Sequence, residues 1–153
     1  MLSKVTVLAL AAAAPLASAL GLATVANRCD TDVYVWSVGS AVEGPIQIAK
    51  DGTYGESFVK DEVTGGKALK VTLEADGLYT GAAQTVFAYS LDGDNVWYDL
   101  SDVFGDAFVG KKVVVSSAKE TCPSIIWPTG VPPAGSQVKV CTASEDVTLT
   151  LCA

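Results

Sequence analysis

Polar and apolar residues alternate with a period of two through much of this chain, the spacing of half-buried β-strands. In KALKVTLEA, residues 67–75, Leu69, Val71 and Leu73 fall on one side and Lys70, Thr72 and Glu74 on the other. The clearest pattern is TVFAYSLDGDNVWYDLS, residues 85–101. Asp92-Gly93 tolerates the positive φ angles of a two-residue hairpin turn, and setting Leu91 opposite Asp94 sorts the two arms. Phe87, Tyr89 and Leu91 then share a uniformly apolar face with Val96, Tyr98 and Leu100. Val86, Ala88, Ser90, Asn95, Trp97 and Asp99 form the other, mixed face. A one-residue slip would scramble this sorting, so the register is well specified.

Similar strand-like runs recur at residues 22–27, 33–38, 46–49, 56–60, 68–74, 84–91, 95–99, 112–116, 137–142 and 147–152. Turn signals separate them: Asp51-Gly52, Gly65-Gly66, Asp76-Gly77, Gly81, Asp92-Gly93, Gly105 and Pro132-Pro133. No window keeps a helical period. About ten short strands at this spacing predict an all-β fold, an antiparallel β-sandwich. Residues 104–109 read as a loop packed by its own aromatics. Residues 125–135, IIWPTGVPPAG, are the most irregular stretch, because Pro132-Pro133 has no place in a central strand.

The first residues stand apart from this pattern. Lys4 gives a positive start, residues 5–16 an Ala/Leu/Val run, and Ala17-Ser18-Ala19 a small-residue cleavage site. These are the parts of a secretory signal peptide over residues 1–19, leaving 20–153 as one domain outside the cell. Losing Lys4 leaves nine basic residues against seventeen acids, a net charge of −8. That surface disfavours nucleic acid and anionic membranes as partners. The chain has no histidine, which removes Ser-His-acid and Cys-His nucleophiles and the usual zinc and copper ligand sets. No cofactor is expected. Neither asparagine begins an N-glycosylation sequon.

Four cysteines in a secreted chain favour disulfides, and three pairings are open. Cys29 follows the first strand and Cys152 lies one residue from the last position. They are predicted to pair and tie the ends together, leaving Cys122 and Cys141 to close the Pro-rich loop. A Cys29–Cys122 link is the arrangement that would displace this one.

The candidate chemistry gathers around the hairpin. Asp92, Asp94, Asp99, Asp102 and Asp106 crowd it and the loop that follows. They are read chiefly as turn-forming and solvating residues, and no metal site is expected. The sharper readings are a hard-cation site or a carboxylate pair acting on a glycosidic bond. Asp99 differs from the rest, because it sits within a strand beside Trp97 and Tyr98, where burial without a partner is costly. Among the aromatics, Tyr98 and one of Tyr34 and Trp36 are assigned to the core. Trp127 in IIWPTG is the candidate for an exposed anchor.

The segments ANRCDTDVYVWSVGS, TGGKALKVTL, TVFAYSLDGDNVWYDLSDVFGDAF, CPSIIWPTG and CTASEDVTLTLCA resemble, in that order, the Blastomyces yeast-phase-specific protein family of small secreted fungal proteins. More distantly, ANRC followed by VYVW, and VWYDLSDVFG, are similar to segments of thaumatin-like proteins. That likeness implies a minimal thaumatin-like sandwich and supports Cys29 pairing with Cys152. It also implies an acidic cleft associated with β-glucan binding or hydrolysis, in which the family's Tyr-Asp aspartate matches Asp99. The family's glutamate falls on Ala88, and a second aspartate on Phe104, with Asp102 and Asp106 nearby. In the register above, position 88 and Asp99 are diagonal neighbours at ~7–8 Å, a separation suited to two flanking carboxylates. With a methyl group at 88, the expectation is a monomeric, non-enzymatic binding protein at the cell surface or facing a host, effector- or antigen-like. Its partner would be a cell-wall glycan such as β-glucan or a host protein, bound through Asp99, Trp97 and Trp127. The alternative is a β-glucan-binding protein with weak β-1,3-glucanase activity, its catalytic candidates being Asp99, Asp102 and Asp106.

Overall fold

The structure is a computed structural model describing residues 19–153; the leader predicted for 1–19 lies, but for Ala19, outside the described residues. Eleven strands form two sheets. They are β1 (Leu22–Asn27), β2 (Val33–Val38), β3 (Val42–Ile48), β4 (Thr53–Ser57), β5 (Lys67–Thr72), β6 (Gln84–Asp92), β7 (Asn95–Val103), β8 (Val113–Ser117), β9 (Ile125–Trp127), β10 (Lys139–Thr142) and β11 (Val147–Leu151). One four-residue helix, α1 (Gly77–Thr80), joins β5 to β6. The five-stranded sheet runs β4-β1-β11-β8-β9, and the six-stranded sheet β10-β7-β6-β5-β2-β3. The inward side chains of both meet in one apolar core that includes Val25, Leu149, Val115, Phe87, Leu69 and Tyr98.

The period-two pattern produces this core directly. Leu69 and Val71 of β5 and Phe87, Tyr89, Val96, Tyr98 and Leu100 of the hairpin are all buried, as their alternation predicts. The hairpin register differs from the expected one by two residues. Asp92 pairs with Asn95 and Leu91 with Val96, so Gly93-Asp94 are the central turn residues. Only Gly93 takes a positive φ, +58°, which fits a turn with glycine at its first central position. An even shift leaves every side chain on its expected face.

The two sheets form the expected β-sandwich, antiparallel but for one pair, β1 and β11, which run parallel. Two other expectations are corrected. Residues 125–127 are a strand, β9, on the edge of the five-stranded sheet. It was hidden because Ile126 is apolar yet faces solvent, which blurs the alternation between buried Ile125 and Trp127. β5 ends at Thr72 rather than Glu74, so Leu73 is exposed while Thr72 is buried. α1 packs on Thr72 so closely that a Cβ at Gly77 would lie 2.6 Å from the Thr72 hydroxyl.

Two disulfides close the structure, Cys29–Cys152 and Cys122–Cys141. Beside the first, the buried Asn27 side chain receives the Cys29 amide and donates to the carbonyls of Thr31 and Ile48. This fixes the chain as it leaves β1. Because the bridges span 123 and 19 residues, chain-entropy arguments assign them about 5 and about 3 kcal/mol. Serine replacement of the Cys29/Cys152 pair is expected to lower denaturant-measured stability more than replacement of Cys122/Cys141. Equal losses would contradict this.

Candidate functional site

The outer face of the six-stranded sheet carries a cleft of about 450 Å³. Its floor follows from the register. Asp99 on β7 stands opposite Ala88 on β6, Ala88 opposite Ala68 on β5, and Ala68 opposite Val38 on β2. Two methyl groups in the middle of this row leave a trough. Two residue pairs nearer the turn, on the same face, Trp97 stands opposite Ser90 on β6 and Val140 on β10. Trp97 is 45% exposed and forms the aromatic wall, with Val138 beside it.

The loop between β4 and β5 supplies the opposite rim through Thr64 and Gly66. Asp61 ties that loop down, accepting from the Ser40 amide and hydroxyl and from the Val63 and Thr64 amides at 2.7–3.0 Å. The Ser40 amide, then the Thr64 amide and the Ser40 hydroxyl, hold its carboxyl well below the usual range. Gly66 sits so close to β6 that a Cβ there would lie 2.5 Å from the Tyr89 carbonyl.

Among the described residues, Asp99 is the only carboxylate lining the cleft. Burial pushes its carboxyl above the ordinary value, with the Ala88 amide pulling back, and its Oδ1 is buried without a protein partner. Ala88 lies directly across the strands rather than diagonally, which brings the two Cβ atoms to about 4.5–5.5 Å. Trp97 and Asp99 lie two residues apart on one strand face, ~7 Å along it. The cleft therefore offers a planar apolar surface beside a single hydrogen-bonding acid.

The remaining sequence candidates lie elsewhere. Asp102 is three positions beyond Asp99 on the same strand, so the two point to opposite faces, ~10 Å apart along the backbone. It stands opposite Thr85 on β6 and accepts that residue's hydroxyl at 3.0 Å. Burial, then the hydrogen bond and charge of neighbouring Asp106, push Asp102 up to about 7. Neither acid lines the cleft with Asp99. Trp127, expected as an exposed anchor, is fully buried. Its indole N–H donates to Gln137 at 3.0 Å, so it packs the core and ties down the Pro-rich loop. Asp92 and Asp94 are exposed at the hairpin turn. Among the described residues, no three Cys, Asp or Glu side chains converge as a metal-binding set.

A further charged cluster escaped the sequence reading. Glu56 on β4 reaches across from the five-stranded sheet to accept the hydroxyls of Tyr54 at 2.9 Å and Tyr89 at 2.7 Å. Lys67, on the cleft rim, lies 3.4 Å from Glu56, and both side chains are about 15% exposed. Burial acts to raise the Glu56 carboxyl, but the surrounding hydroxyls and Lys67 outweigh it and hold it low. Burial and then Glu56 raise both tyrosines. The only sequence signal was an acid in a strand, and its partners are distant along the chain.

Comparison with known proteins places this geometry in context. The sequence pattern of a family described as Blastomyces yeast-phase-specific protein matches residues 10–153. An antigenic thaumatin-like protein of Arthroderma benhamiae is 30% identical over 169 aligned residues, covering 100% of this chain and 85% of the relative. The secreted thaumatin-like protein calA of Emericella nidulans is 25% identical, covering 99% and 95%. The crystal structure of the protein elicitor MoHrip2 from Magnaporthe oryzae superposes with a TM-score of 0.71 at 27% identity, over 87% of this chain and 99% of that one. The thaumatin-like xylanase inhibitor TLXI matches with a TM-score of 0.57 at 11% identity, over 85% and 98%, a likeness of fold alone.

The Asp102 environment gives a signed pH dependence. Its folded value of about 7 lies above the ordinary 3.8, so its protonated form stabilises the fold at low pH. That stability is lost as pH rises from about 4 through about 7. In thermal melts across this range, the native protein is expected to lose stability relative to Asp102→Asn. A constant difference between the two would refute the assignment.

Proposed function

The chain belongs to the Blastomyces yeast-phase-specific protein family, and we propose that it acts as a secreted, non-enzymatic binding protein. Its ligand lies in the Trp97–Asp99 cleft. The observation that carries this reading is the alanine opposite Asp99. Hydrolysis of a glycosidic bond needs two carboxyl groups, ~5–5.5 Å apart for retention or ~6.5–9.5 Å for inversion. The position facing Asp99 holds a methyl group, and Asp102 points to the other side of the sheet.

What remains suits a carbohydrate. A sugar ring lays its C–H face on an exposed indole and offers hydroxyls to a carboxyl group. The half-buried Asp99, which lines the cleft, supplies such a carboxyl group. The family and the named relatives support a fungal, extracellular setting, and the elicitor from Magnaporthe oryzae supports a role facing a host. The chosen ligand is a cell-wall glycan such as β-glucan.

The test is retention of the oxidised protein on β-1,3-glucan, chitin and mannan, followed by calorimetry on whichever retains it. Trp97→Ala is expected to weaken binding by about tenfold (~1.4 kcal/mol), with the thermal transition kept. Failure on all three polysaccharides would turn the reading toward a protein partner. Laminarin cleavage that disappears in folded Asp99→Asn would instead establish catalysis.

A further inference from the structure

A second cavity, of about 570 Å³, opens at the far end of the sandwich, beside the Cys29–Cys152 bridge. It is separate from the Trp97 cleft. Lys67 on the rim of that cleft opens β5, and Leu73 on the wall of this cavity directly follows its last residue, six positions and ~20 Å along the chain.

Its walls are held by the backbone. The Val109 amide donates to the Asp106 carbonyl, the Lys111 amide to Phe108, and the Gly110 amide to Thr129. This turn packs so tightly on the chain beyond β9 that a Cβ at Gly130 would collide with the Phe108 carbonyl. Phe108 is buried by that packing, yet Leu73 and Val109 on the cavity wall are 44% and 66% exposed. Both are apolar side chains left in water at the mouth of a concavity.

The charges around these apolar walls run against the rest of the molecule. The whole chain carries a net charge of −7, but Arg28, Lys111 and Lys112 all line this cavity. The one acidic side chain on the wall among the described residues, Asp30, is engaged by Lys50 at 2.8 Å. Arg28 lies 3.6 Å from Asp51 in an exposed pair, a contact of the kind worth little. Lys111 and Lys112 make no ion pair among the described residues. Together these side chains leave an excess of positive charge on the wall.

We propose that this cavity binds a small aliphatic carboxylate, its chain lying on Leu73 and Val109 and its carboxylate held by Lys111 and Lys112. The volume falls within the ~300–1,000 Å³ of small-ligand sites, which join apolar walls to a few placed charges. A lysine pair holds a carboxylate by charge rather than by bidentate geometry, so ionic strength should govern its affinity.

The test uses the ¹⁵N-labelled, oxidised protein titrated with sodium decanoate below its micellar concentration, and with decanol. Decanoate is expected to give saturable shifts of the Leu73, Val109, Lys111 and Lys112 amides, weakening as salt is added. Lys111→Gln with Lys112→Gln should lower the affinity at least tenfold. Both side chains are exposed, so the fold should survive the change. Trp97→Ala should leave decanoate binding unaltered, which separates this site from the glycan cleft. Equal binding of decanol, or decanoate shifts that persist in the double variant, would overturn the proposal. So would a glutamate-rich peptide saturating these amides where decanoate does not, since that would indicate an acidic protein partner.

Discussion

β1 has hydrogen-bonded neighbours on both sides, β4 and β11, and β11 lies 123 residues away measured between the bridged cysteines. The parallel pairing of Ala23–Asn27 with Val147–Leu151 joins the two ends of the folded chain in the middle of the five-stranded sheet. Without it, the sheet would split into two pieces, β4-β1 and β11-β8-β9. The six-stranded sheet would then have no continuous apolar layer to pack against. The Cys29–Cys152 bridge sits at the end of this pairing, and Asn27 holds the intervening backbone through the carbonyls of Thr31 and Ile48. The hydrophobic core is the larger source of stability, but this closure determines whether a core of this shape exists at all.

The cleft and the core are opposite sides of the same strands. In β6 and β7, Phe87, Tyr89, Tyr98 and Leu100 fill the interior, while Ala88, Ser90, Trp97 and Asp99 face out. Rigid inward packing therefore fixes the positions of the outward groups. Glu56 adds a second restraint by bonding Tyr89 of one sheet from β4 of the other. Trp97 and Asp99 thus project from a braced surface, with irregular backbone at the rim from Gly39, the Asp61-clamped loop and Val138.

How much of this was legible in the sequence depended on whether the signal was local. Period-two alternation located nearly every strand and both faces of the hairpin, because side-chain direction follows from local backbone geometry. It misplaced the turn by one residue, since Asp92-Gly93 and Gly93-Asp94 both contain a residue suited to positive φ. IIWP looked irregular because Ile126 carries no polar mark on its solvent side. Trp127 became an anchor candidate only because its partners, β8 and Gln137, are supplied by tertiary structure. The same limit hid Glu56 and Asp61, whose roles arise from residues brought together by folding. The resemblance to thaumatin-like proteins pointed to Asp99, while the observed register established that Ala88 faces it directly.

The floor of the Trp97 cleft consists of two methyl groups, Ala68 and Ala88, supported from behind by a densely packed interior. Such a surface is unusually free to vary. Glycine would deepen the trough and valine would raise it, with no change demanded of the residues beneath. Related chains can thus diversify what they accept by altering a single carbon at a time, so that evolvability of recognition is uncoupled from the integrity of the scaffold.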